Sequence, residues 1–183
     1  MLGSTPKDAI DHDFSRWFHL ERYEAPRLLA DGATWHGFRP EGARFRDLVT
    51  INLEADGAER ITEVKLCLDR AFIEHPKDGA FARDVTVSFL HWATPDGEQD
   101  ELRSFLRELG DLGPNVIRLA RTPQPEPIGE RTPLYRTYLG EQKEAELALA
   151  AARLKLTNLQ ARDGPRDPQH DWIWIRLSRI SAI

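Results

Sequence analysis

Two tryptophans and an arginine, Trp172, Trp174 and Arg176, alternate with Ile173, Ile175 and Leu177 near the end of the chain. A period of two is what a β-strand imposes, so the three branched residues read as a core face and the other three share the opposite face. Aromatic faces stack on sugars, bases or cations, and a guanidinium forks a carboxylate or a phosphate. These three side chains are therefore the candidate ligand-binding residues, suited to a small anionic or aromatic ligand. The opposing reading is a central strand buried on both faces, with a helix over the tryptophans.

Other chemistry-bearing residues form weaker sets. Asp84, Ser88 and His91 fall on one side of a predicted helix. Asp84 and His91 are two turns apart, about 10 Å along the axis, and the serine stands where a triad needs its histidine. No Gly-x-Ser-x-Gly elbow is present. Six histidines (12, 19, 36, 75, 91 and 170) lack the i, i+4 pairing that fixes zinc from one helix, and Cys67 has no CxxC partner. An enzyme would have to draw its site from dispersed His36, His75, Asp69 and Asp84. Walker and GxGxxG loops are missing, and no cofactor or metal is expected. Arg118 and Arg121, with Arg131 and Arg136 farther on, form a basic cluster and are the candidate partner-binding residues. Acidic residues between 96 and 111 provide a ready internal counter-charge.

The elements that must position these residues follow from periodicity and turn chemistry. Residues 9–23 carry Phe14, Trp17, Phe18 and Leu20 at helical spacing, and Pro26 limits that helix. Thr34–Arg39 reads as a short strand. Leu48–Glu54 and Thr62–Asp69 alternate around Asp56-Gly57 and predict an antiparallel hairpin burying Val49, Ile51, Leu53, Val64, Leu66 and Leu68. The second strand has apolar residues to extend it through Ile73. Phe81, Val85, Phe89 and Trp92 make a helical stripe, and a second helix runs to Leu109 with Gly110 as its cap. Val116–Arg121 and Leu134–Leu139 read as strands on either side of a loop with prolines at 123, 125, 127 and 133. Residues 141–152 have helical propensity but also alternation. Arg153–Leu159 would pair antiparallel with the C-terminal strand.

Strands, then two helices, then strands argue an α+β fold: a mainly antiparallel sheet with two consecutive helices (about 78–109) packed on one face and a short N-terminal helix. The 183 residues fit a single domain, 1–183. A net charge of −5 disfavours nucleic acid as the main partner. One cysteine excludes an internal disulfide, and no apolar run is long enough to span a membrane. Arginine and alanine richness points to a GC-rich bacterial genome, and the expected compartment is the cytoplasm. The leading expectation is a non-enzymatic protein-interaction module: an adaptor, secretion chaperone or immunity-type partner. The alternatives are a small-ligand sensor using the Trp172/Trp174/Arg176 face and, behind it, an enzyme. A homodimer is expected through the C-terminal strand or its tryptophan face, because an apolar strand so near the end has nothing after it to shield its edge.

Overall fold

The computed structural model describes residues 1–42, 44–94, 102–110, 131–160 and 171–180. Two short helices open the chain, α1 (Pro6–Asp11) and α2 (Asp13–Trp17), followed by β1 (Leu20–Arg22), β2 (Arg27–Leu28) and β3 (Thr34–Pro40). The hairpin β4 (Val49–Ala55) and β5 (Ile61–Asp69) leads into α3 (Arg70–Glu74) and α4 (Gly79–Ala93). Beyond these lie α5 (Arg103–Glu108), α6 (Pro133–Tyr138), β6 (Glu144–Ala148), β7 (Ala152–Leu159) and β8 (Trp172–Arg179). All strand pairs are antiparallel, in the order β1-β3-β4-β5-β8-β7-β6, with β2 also on β3.

The register lays the apolar residues in continuous rows. Phe38, Ile51, Leu66, Ile175, Leu156 and Ala145 form one, crossing six strands. His36, Leu53, Val64, Leu177, Leu154 and Leu147 form the next. The α4 residues Ala82, Val85, Phe89 and Leu90 join the same core cluster, as do Leu102, Phe105 and Leu106 of α5 and its start. The helical layer therefore covers one face of an α+β sheet, as the stripe on 81–92 predicts. Phe81 departs from that stripe: it is 36% exposed at the edge of the layer.

The turn between β4 and β5 is longer than two residues, and Asp56 organises it. Its Oδ1 accepts the amides of Ala58 and Arg60, each at 2.9 Å, while Glu59 takes the left-handed conformation at φ 54°.

Several elements differ from the sequence expectation, each for a local reason. The first helix is broken at His12, whose ring accepts the Phe14 amide and so caps a new helix. The second hairpin strand stops at Asp69, because that carboxylate accepts the Ala71 amide at 2.7 Å and starts α3. Leu134–Leu139 is helical: Thr132 caps it through the Tyr135 amide, and Pro133 suits a first turn. Within 141–152, alternation prevails over propensity, because β6 has β7 to pair with. Val116–Arg121 and the proline-rich loop lie outside the described residues.

The C-terminal strand is not an edge. β8 lies between β5 and β7 and pairs along its length with both. The premise that its own edge needs shielding is thereby removed; among the described residues the outermost strands are β6 at one end and β1 and β2 at the other.

Candidate functional site

On the sheet face opposite the core cluster, the three predicted ligand-binding residues do not share one environment. Trp172 is 3% exposed, opposite Asp69 on β5, and its indole nitrogen is buried without a hydrogen-bond partner. Trp174 is partly buried, with the Lys65 ammonium 4.4 Å from its ring centroid. Arg176 is exposed but holds Glu63 at 3.1 Å. Burial pushes the Glu63 carboxyl above its ordinary range, and the facing guanidinium offsets part of that.

Lys65, Arg176 and Lys155 are cross-strand neighbours in one row. Three adjacent cations repel one another. Here Glu63 answers Arg176, Glu144 answers Lys155 at 2.9 Å, and the Trp174 ring answers Lys65. The cations are thus already matched within the fold, which leaves little uncompensated charge to attract an anionic ligand. At the far edge of this face the Trp35 and Tyr23 rings pack directly over Gly37, where a Cβ would lie 2.3 Å and 2.6 Å from them and push them aside.

The dispersed enzyme set stays dispersed. His36 faces the core level with Val64, whereas Asp69 lies five residues farther along β5, about 16 Å, and on the other face. His75 accepts the amides of Lys77 and Asp78 and lies 3.2 Å from the Asp78 carboxylate, so it serves the approach to α4. Asp84 is on α4 itself. No three metal-ligating side chains gather among the described residues. Arg118 and Arg121 lie outside them.

A different site emerges where the core reaches the surface. A cavity of about 220 Å³ opens between α2, the 41–48 loop and α4. Val49 and Ile51 of β4 form its floor, Phe81 and Val85 of α4 one wall, and Trp17, Phe18 and Leu20 another. Phe45 closes the loop side, 4.9 Å from Phe81 and 5.4 Å from Phe72. A chain of rings runs from this mouth into the interior: Phe81 to Phe18 at 5.9 Å, Phe18 to Phe14 at 5.0 Å, and Phe14 stacked on Trp92 at 4.8 Å. Trp17 at the lip is 71% exposed.

Local sequence explains why the mouth stays open. α2 has only five residues, and His19 ends it in the left-handed conformation, φ 44°. That turn sends Leu20 into β1 opposite Pro40, and the His19 carbonyl accepts the Glu41 amide at 2.9 Å. A non-glycine residue held there carries strain, and it does so in the lining of the pocket. Ion pairs flank parts of the lining: Arg44, beside Phe45, is held on Asp78, and Arg16, beside Trp17, lies 3.6 Å from Asp13, whereas Arg39 and Glu21, 3.2 Å apart, belong to the other face of the sheet.

Sequence reasoning assigned Trp17 and Phe18 to a packed helix and missed the pocket. A signal existed. Adjacent residues on a helix point about 100° apart, so an aromatic doublet on so short a helix cannot bury both rings on one stripe. Phe45, Gly42 and Pro40 come from a loop with no periodicity and left no comparable signal. Comparison of the chain with family models, with curated proteins and with solved structures finds no match.

Proposed function

We propose that this chain is a non-enzymatic protein-interaction module, an adaptor, secretion-chaperone or immunity-type partner, which takes an apolar anchor side chain of another polypeptide into the Trp17–Phe81 pocket. The observation that carries this reading is an aromatic-lined cavity open to the surface beside a 71%-exposed tryptophan. Its size supports a side chain over a free ligand. Pockets for small molecules usually run about 300–1,000 Å³ and hold several convergent polar groups. This one has about 220 Å³, and His19 is its single titratable lining residue. An apolar centre flanked by the Arg16–Asp13 and Arg44–Asp78 pairs also suits a protein interface, with a dry anchor point and a polar margin. The lone Cys67, which is buried, supports a reducing bacterial cytoplasm as the setting.

Photo-crosslinking tests the reading. A benzophenone amino acid in place of Phe81 should give a discrete protein adduct in cells producing the chain. The same probe in place of Arg153, exposed on the far sheet face, is the control. Adducts at position 81 no more discrete than those at 153 would overturn the assignment.

A further inference from the structure

We infer that the loop side of the pocket is closed by a proton-sensitive latch: Asp78 holds Arg44, and protonation of His75 loosens that hold and frees residues 44–48. Acid would thus widen the pocket that the docking reading above assigns to a partner, and the latch takes its purpose from that reading. Asp78 stands between the two basic side chains. Its Oδ1 takes the Arg44 guanidinium, and its Oδ2 lies 3.2 Å from Nδ1 of His75. The Arg44 guanidinium also lies 5.3 Å from the Phe45 ring centroid, and Phe45 rests on Phe81 and Phe72 in the pocket wall. The Arg44–Asp78 pair therefore fastens this ring-bearing segment to the start of α4.

His75 enters the closed arrangement as an acceptor. Its Nδ1 accepts the amides of Lys77 at 3.3 Å and of Asp78 at 3.1 Å, so that nitrogen carries no proton there. A lone pair and a carboxylate oxygen then face each other at 3.2 Å without a bond. Adding a proton reverses both relations. Nδ1–H donates to the Asp78 Oδ2, and the two amides lose their acceptor. One carboxylate is then shared by two cations that repel each other, so Arg44 is held less firmly. The other charges around the ring are Lys77 in the same turn and Glu74 of α3, which lies 3.8 Å from Arg70; the first turn of α4, residues 79–82, has none. Imidazole is the side chain whose charge ordinarily changes between pH 5 and 8.

Two variants separate the parts of the latch. Asp78→Asn removes the charge at no cost in helix capping, because the Asp78 side chain makes no cap bond to α4. His75→Asn keeps an acceptor near the Nδ1 position and cannot take up a proton. Hydrogen exchange of the Phe45 and Leu48 amides, which donate to the Gly42 and Phe45 carbonyls, reads the segment directly once the intrinsic pH dependence of exchange is divided out. Wild-type protection should fall about two- to fivefold between pH 7.5 and 5.5, the scale of one partly exposed ion pair. It should stay level in His75→Asn and be low at both pH values in Asp78→Asn. Three results would overturn the latch: equal wild-type protection at the two pH values, a His75→Asn variant that falls as the wild type does, or an Asp78→Asn variant as protected as the wild type at pH 7.5. Exchange needs no partner, so such a failure is distinct from a failed crosslink at position 81.

Discussion

Phe89 shows what a single core position contributes. Its side chain is fully buried on α4, with the Trp92 ring 5.8 Å away and Phe14 at 6.4 Å. Phe89→Ala removes that packing and leaves a void the helix cannot close, so it should cost about 3–5 kcal/mol in urea unfolding. A loss below about 1 kcal/mol would mean the site collapses around the truncation. His36 is the opposite case, a polar side chain in the core layer. It is 8% exposed and its Nδ1 is buried without a partner. Burial first, and the nearby Arg22 second, hold its pKa below the ordinary 6.5. The folded state therefore favours neutral imidazole. The stability this secures is complete above the ordinary imidazole range and fades as pH falls through it. Tm should thus drop more between pH 7.5 and 5.5 in the wild type than in His36→Phe. Equal drops would show that His36 is not responsible. The burial of Phe89 was legible in its helical stripe, but that of His36 was not: in the sequence His36 reads only as one member of a dispersed enzyme site.

Among the elements, the hairpin β4–β5 and helix α4 were legible because their patterns are strong and local: alternation in phase across Asp56-Gly57, and an apolar stripe at helical spacing. Short pieces set by capping were not. α2, α3 and α6 each begin where a side chain (His12, Asp69 or Thr132) accepts a helix amide, and five or six residues carry too little periodicity to announce a helix. How these pieces dock depends on contacts far apart in sequence. Arg70, at the start of α3, donates to the Tyr138 carbonyl at 3.2 Å and to the Asn158 side chain. Asn158 in turn donates to the Thr137 and Gln142 carbonyls, both at 2.6 Å. This network ties α3 to α6 and β7. Arg70→Met should cost about 1.5–3 kcal/mol, the usual range for hydrogen bonds to a charged group. In a double-mutant cycle with Asn158→Ala the two losses should fall short of adding, by about 0.5–3 kcal/mol. Full additivity would mean the two residues act separately.

At the scale of the whole molecule, the sheet sorts its surfaces by function of chemistry. One face is buried under helices. The other is laced with matched charges, and the candidate residues Trp174 and Arg176 are already engaged there by Lys65 and Glu63. The apolar opening appears at the end of the helical layer, where a five-residue helix and a loop fail to roof β4. The α+β architecture could be read from strand and helix patterns, but the pocket could not. It depends on how α2, the 41–48 loop and α4 meet, and no local pattern encodes that meeting. The most direct test of the pocket needs no partner. N-acetyl-tryptophanamide, a mimic of one indole anchor, is titrated into methyl-labelled protein and followed by NMR. Saturable shifts are expected at the Val49, Ile51 and Val85 methyls at roughly millimolar concentration, the affinity expected of one side chain, and not at Leu154 and Leu156, which are buried elsewhere in the core. Pocket methyls that do not shift, or that shift no more than those of Leu154 and Leu156, would contradict the account.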